Sequence, residues 1–246
     1  MIKPVSYTHL MSGKPKYIQI EDSILNQIKG GILRPGDQIP TEAELCDTFQ
    51  VSRMTVNKAI QSLASKGYIN RVAGKGSFVT NVHIQKPIVR IPQSFSEDMR
   101  SIGLTPGSRL VDYRIYRGSE LPEAAAQALN VARDDMVHYF SRIRTGNDMI
   151  ICISYTYVPC RVLPAIDVTR LEHSFFEYVK ELGLNVQSMD LSLTATLPTE
   201  EQKRLLGIEN EALLKSFHNT YLDNGDILEY IETYYIGSMY TYRVTL

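Results

Sequence analysis

From Val56 the apolar residues fall at Val56, Ala59, Ile60 and Leu63, an i, i+3, i+4, i+7 stripe that must face a core, while Arg53, Asn57 and Gln61, with Lys58 beside them, take the opposite face. Ser52 can cap this helix. Upstream, Thr41 and Glu44 form a T-x-x-E capping box just after Pro40, which predicts a short helix from about Glu42 to Phe49. Pro15 precedes a third helical stripe, Tyr17, Ile20, Ile24 and Ile28, stopped by Gly30-Gly31; the residues through about Lys14 read as a loose arm. After the Val56 stripe the period drops to two. Tyr68-Ile69-Asn70-Arg71-Val72 and Ser77-Phe78-Val79 read as short strands around Ala73-Gly74-Lys75-Gly76, whose glycines supply the positive φ angles of a tight turn.

Helix, turn, polar-faced helix and Gly-rich hairpin, in that order, predict a winged helix-turn-helix over residues 1–80. Residues 81–92 carry Pro87 and Pro92 around an Ile-Val-Arg-Ile run and read as an extended linker. From Gln93 to residue 246 the pattern is mixed. Strands are expected at 109–117, 136–144, 149–158, 188–196, 212–222, 227–236 and 240–245, and helices near 94–101, 122–130, 173–182 and 199–206. Asp223-Asn224-Gly225-Asp226 is the strongest hairpin signal in the chain. The expected fold class is α+β: a winged helix followed by an antiparallel sheet partly covered by helices. A length of 246 residues accommodates two such domains, and no repeat period recurs.

The polar face of the second helix has the chemistry of a major-groove reader. Arg can donate two hydrogen bonds to guanine and Asn can pair with both adenine edge groups, and Arg53 and Asn57 sit one turn apart. Ser52 and Thr55 are short donors at the helix start, where backbone N–H groups also favour a phosphate oxygen. Arg71 and Lys75 make the hairpin tip basic. A plain solvated helix face is the competing reading. A phosphate loop is set aside, because Gly74-Lys75 is followed by Gly76 and the upstream Gly spacing is missing.

A net charge of −1 looks wrong for a DNA binder until it is divided. Residues 1–80 hold 10 Lys/Arg against 6 Asp/Glu, a balance of +4; the whole chain holds 26 against 27, which leaves 16 against 21, or −5, for 81–246. The chain has no run of 18 apolar residues and its start lacks a signal-peptide core, which predicts a cytoplasmic protein with no membrane partner. Cys46, Cys152 and Cys160 show no C-x-x-C spacing, and the five histidines no metal-binding spacing, so no cofactor, metal or disulfide framework is expected.

The block PGDQIPTEAEL, VSRMTVNKAIQSLASKGYI and GKGSFV resembles the DNA-binding domain of GntR-type bacterial transcription regulators, and SRMTVNKA, with Asn at 57, leans toward the HutC subfamily. The resemblance implies a homodimer on an inverted-repeat operator, with Arg53, Thr55 and Asn57 as recognition contacts, Lys75 and Gly76 as wing contacts, and Thr41 and Glu42 at the phosphate-facing start of the preceding helix. Ser52, Lys58 and Arg71 complete the candidate DNA-binding set. The second half is similar to the family's UTRA effector domain, whose fold resembles chorismate lyase, through SFSEDMRSIGLTP at 94–106, SRIR at 141–144, YVP at 157–159 and GDILEY with the following YY within 225–235.

Arg142 and Arg144 lie two apart on an expected strand and share a face, so together they call for an anion or nearby carboxylates. A pair of solvated surface arginines is the alternative. The resemblance implies that they bind the effector's anionic group, assisted by Ser174, with Glu229 on a hydroxyl or amine and Phe95 and Ser96 closing over the ligand; Tyr235 shares the Glu229 face. Ser154 stands where many relatives have Glu. The effector is thus expected to be a small anionic metabolite, a sugar phosphate or a carboxylate such as urocanate. The expected function is ligand-controlled transcription regulation, by repression in most of this family. The rivals are a lyase-like enzyme with an accessory DNA-binding domain, against which no catalytic motif is present, and an architectural DNA-binding protein without an effector.

Overall fold

The computed structural model describes residues 14–29, 32–34, 36–80, 84–87 and 93–243. Contacts divide the chain into two compact units, Met1–Asn81 and Val82–Leu246.

The first unit runs α1 (Lys16–Lys29), α2 (Glu42–Phe49), α3 (Arg53–Ser65), β1 (Ile69–Val72) and β2 (Gly76–Val79). The Thr41 N–H donates to Glu44 Oε2 at 2.8 Å and the Glu44 N–H to Thr41 Oγ1 at 3.3 Å, so the capping box closes and α2 begins where the sequence places it. Gln50 turns left-handed, with φ 51°, and Ser52 Oγ accepts the Thr55 N–H to start α3. Val56, Ala59, Ile60 and Leu63 are all buried, together with Ile20 and Ile24 of α1, Leu45, Ile69 and Val79. The expected stop of α1 at Gly30-Gly31 and residues 1–13 of the expected loose arm lie outside the described residues, and Lys14, the expected end of that arm, is tied to Asp22 of α1 by a 2.9 Å salt bridge.

The second unit contains β3 (Ile84–Pro87), α4 (Phe95–Ser101), β4 (Pro106–Arg117), α5 (Glu123–Leu129), β5 (Met136–Gly146), β6 (Met149–Pro159), α6 (Phe175–Glu181), β7 (Val186–Met189), β8 (Ser192–Thr196), α7 (Glu200–Leu206), β9 (Leu213–Leu222), β10 (Ile227–Ile236) and β11 (Tyr240–Arg243). Seven of these strands form one antiparallel sheet in the order β4-β5-β6-β10-β9-β7, with β8 also on β9. One sheet face packs against α5 and α7, through Leu129 on Tyr157 and Tyr230, and Leu206 on Ile143 and Ile153. The other lies under α6 and a 3-10 turn at Val168–Glu172, where Leu171, Phe175 and Val179 meet Phe140 and Val158.

Two expectations need correction. The strand expected at 188–196 is two strands, because Asp190 Oδ1 accepts the Asn219 N–H at 2.6 Å and a carboxylate there takes the place of a ladder carbonyl. Within the stretch expected as a linker, 84–87 is a paired strand: β3 lies parallel to β11, Ile84 opposite Tyr240 and Pro87 opposite Arg243. The remaining linker residues, 81–83 and 88–92, and the expected strand end at 244–245, lie outside the described residues.

Candidate functional site

In the first unit, α3 exposes Arg53, Lys58 and Gln61, with Asn57 half-buried between them. The wing is held to the body by Gln38, whose Nε2 donates to the Lys75 carbonyl at 3.1 Å. Gly76 sits at φ +117°, a backbone conformation that favours glycine, and a Cβ there would fall 2.5 Å from the flexible end of Gln38 at Nε2. Gly74 turns the tip at φ +72°, which leaves Lys75 exposed at the apex. Arg71 leaves β1 toward the helices: Nη1 donates to Asn57 Oδ1 and Nη2 to Glu42 Oε1, both at 3.0 Å. Arg53, Asn57, Arg71, Glu42 and Thr41 thus belong to one helix-and-wing surface. The Lys58 ammonium lies 4.0 Å over the Tyr17 ring of α1. The Thr41 hydroxyl donates to Glu44 at 2.8 Å, and Ser52 Oγ lies 3.1 Å from Thr55 Oγ1.

In the second unit, the expected effector residues converge on the face beneath α4 and α6. Strand alternation explains why. Arg142 stands opposite Ser154, Ser154 opposite Thr233 and Thr233 opposite Ser216; the neighbouring row is Arg144, Cys152 and Tyr235, and Glu229 stands opposite Thr220. All of these side chains are buried, which overturns the solvated-surface alternative for the arginine pair: Arg142 is 2 % exposed and Arg144 5 %. Arg142 Nη1 donates to the carbonyls of Leu171 and His173, each at 3.3 Å, and so sits beside Ser174, the N-cap of α6. Its guanidinium stacks 5.0 Å over Phe140, and that of Arg144 4.6 Å over Phe95 of α4, next to the buried Ser96. Tyr235 stacks on Tyr240 at 3.9 Å.

The polar groups in this face are incompletely matched by protein. Glu229 Oε1 accepts from Thr220 Oγ1 at 3.1 Å, whereas Glu229 Oε2, Arg142 Nε, Arg144 Nε, Ser154 Oγ and Thr156 Oγ1 have no hydrogen-bond partner among the described residues. Burial, with Arg144 alongside, holds Arg142 well below the usual arginine range, and burial lowers Arg144 as well. Burial pushes the Glu229 carboxyl up to about 7 against the opposing pull of Arg142 and Thr220, and the Cys152 thiol up to about 12. Neighbouring guanidiniums in a low-dielectric site repel each other, and a buried charge without a bonded counter-ion is costly. The arrangement therefore suits an anion at the arginine end and neutral hydroxyl groups along Ser154, Thr156 and Glu229.

Several members of this face were missed from the sequence. Thr220 is the hydroxyl that holds Glu229, and His218 is half-buried with Nδ1 unpartnered inside. Lys86 of β3 forms a salt bridge with the buried Asp98 of α4, whose carboxyl burial raises over the opposing pull of Lys86. Polar residues at alternate positions of β9, namely Ser216, His218 and Thr220, were the available signal. Among the described residues no group of three His, Cys, Asp or Glu is placed to hold a metal, and no helix is long and apolar enough to cross a membrane.

Comparisons with known proteins agree with both halves. The model for bacterial regulatory proteins of the gntR family matches residues 16–79, and the UTRA domain model matches 101–241. The chain is 32% identical over 230 residues to the HTH-type transcriptional repressor NagR of Bacillus subtilis (strain 168), covering 93% of each chain. It is 28% identical over 222 residues to the mannosyl-D-glycerate transport/metabolism system repressor MngR of Escherichia coli (strain K12), covering 89% of this chain and 91% of the relative. Among solved structures, PhnF from Mycobacterium smegmatis shares the fold with a TM-score of 0.61 at 22% identity, covering 94% of this chain and 99% of that one. The possible transcriptional regulator YydK from Bacillus subtilis superposes with a TM-score of 0.57 at 26% identity, covering 95% and 100%.

Proposed function

Because the chain belongs to the GntR family of bacterial regulatory proteins and carries a UTRA domain, we propose that it is a transcriptional repressor that leaves its operator when a small anionic metabolite enters the buried arginine face. The observation that carries this reading is the pair of buried guanidiniums, Arg142 and Arg144, whose Nε atoms have no partner and which hydrogen-bond no carboxylate among the described residues. A charge pair of that kind is an expensive feature in a sheet interior, and binding an anion offsets the cost. Sugar phosphates fit it well: the phosphate accepts from the arginines and Ser174, and the ring hydroxyls meet Ser154, Thr156 and Glu229. The relative MngR takes its name from a mannosyl-D-glycerate system, and glycerate supplies a carboxylate in the same role.

In this reading the protein is a cytoplasmic homodimer, and its two α3 helices read an inverted repeat of double-stranded DNA. Arg53, Thr55 and Asn57 face the bases. Lys75 and Gly76 of the wing, with the helix starts at Thr41 and Ser52, face the backbone. The effector acts by binding one arrangement of the dimer more tightly than another, since equal affinity for both would shift nothing.

The test is operator release measured for the full chain against a panel of sugar phosphates, sugar carboxylates and urocanate, for wild type and Arg144→Ala. Losing one charge-assisted bond of about 1.5–3 kcal/mol should weaken the active effector about 10- to 150-fold and leave DNA binding intact. Equal responses of the two proteins would exclude this pocket.

A further inference from the structure

Arg71 is the point where three elements of the first unit meet. It belongs to β1, it donates through Nη1 to Asn57 of α3 and through Nη2 to Glu42 at the start of α2, and its side chain is 40% exposed. A guanidinium has donors only, so the carboxamide oxygen of Asn57, and not its nitrogen, must be the atom turned toward Arg71. The Asn57 amide is therefore fixed: Oδ1 points to the wing and Nδ2, with its two N–H groups, points away from it. Glu42 holds the other guanidinium nitrogen. With Nη1 and Nη2 each engaged and its charge matched by a carboxylate, the Arg71 guanidinium is oriented toward α2 and α3.

Building on the DNA-reading function, we propose that Arg71 is a positioning residue for base readout: by holding the Asn57 oxygen it fixes the orientation of the amide that the recognition helix presents to a base edge. Bidentate pairing with adenine requires the Asn oxygen to accept from N6 while the nitrogen donates to N7, and the oxygen keeps a second lone pair for such a bond while Arg71 holds the first. A free Asn57 could turn either amide atom toward the base. The Arg71 bond removes that choice. The wing thus sets the specificity of a residue it does not carry.

The experiment uses the full-length protein and its operator, found by selection from a random DNA pool. Asn57→Ala first locates the base pair that Asn57 reads, as the position where discrimination collapses. Affinities are then measured for all four bases at that position, and at several salt concentrations, for wild type and for Arg71→Ala. Arg71 is exposed, so its loss should leave the fold intact; unfolding by circular dichroism checks this. The expected result is a wild-type preference for one base of about tenfold at that position. In Arg71→Ala that preference should shrink at that position only, with the salt slope unchanged.

Two results would overturn the proposal: a base preference that Arg71→Ala leaves untouched, or a uniform loss of affinity with the salt slope reduced by about one, the signature of a phosphate contact. Selection that enriches no sequence at all would instead sink the DNA-reading function itself.

Discussion

The two units place similar polar residues in opposite settings. In the first, Arg53, Asn57, Arg71 and Glu42 sit at a helix-and-wing surface, and the Arg71–Glu42 ion pair is about 40% exposed on both sides. In the second, Arg142, Arg144 and Glu229 lie inside the sheet face with 5% exposure or less. Charge at a surface is inexpensive, so the first unit can carry many polar residues of which only the geometry distinguishes readers from bystanders. Charge in an interior is costly, so its presence there is itself informative about purpose.

The largest effect that tests this contrast is pH dependence in the second unit. Folding raises the Glu229 carboxyl from an ordinary 4.5 to about 7, so the folded state keeps a proton that the unfolded chain has already lost. The contribution of Glu229 to stability is therefore fully present below about pH 4.5 and falls away as the pH rises to about 7, by roughly 3 kcal/mol in all. His218 runs the other way. Burial lowers its imidazole to about 4, so its contribution is present above pH 6.5 and is lost on acidification toward 4. The two oppose each other between those limits. Glu229→Gln should expose the histidine's slope, and urea unfolding from pH 4 to 7 should show the variant losing stability on acidification more steeply than wild type.

Next in size is a paired substitution. Arg144→Met removes one of two repelling buried charges at similar volume and should stabilise the unliganded protein by about 1–3 kcal/mol while weakening the effector response. Arg53→Met, on exposed α3, should change stability by no more than about 0.5 kcal/mol and cost about 1–3 kcal/mol at one base position per half-site. Thermal unfolding and operator competition on both variants decide it. If the two arginines behave alike in unfolding, the contrast between the units fails. The smallest effect is that of Lys75→Ala, which should weaken binding to every sequence alike and reduce the salt slope by about one.

What the sequence made legible follows the same division. Local features were readable: the Thr41–Glu44 box, the Val56 stripe, and the Asp223–Asp226 turn, with β9 ending at Leu222 and β10 starting at Ile227, depend on residues a few positions apart. Strand parity also placed Arg142 and Arg144 on one face. It could not say that the face is buried, because α4, α6 and the turn at 168–172 that cover it come from distant parts of the chain. Glu229 meets Thr220 only because a bulge between Ile227 and Glu229 sets the register of that hairpin. Asp190 broke a strand through a side-chain bond that no periodicity reveals. The pairing of β3 with β11 joins segments from opposite ends of the second unit, which local patterns cannot foresee.

That pairing has a consequence for how the molecule is made. A ribosome releases the chain from its N-terminus, and the first unit, with its own core around Ile20, Leu45, Val56 and Leu63, is complete long before Tyr240 is added. At about 5–20 residues per second, β3 waits roughly 8 to 30 s for the strand that completes it. During that interval the nascent polypeptide holds a folded first unit while the second still lacks its two-stranded β3–β11 sheet and the Tyr235–Tyr240 stack. The segment around Tyr240 is therefore made well after the first unit's own core, and the Tyr235 side of the candidate site is completed only with it.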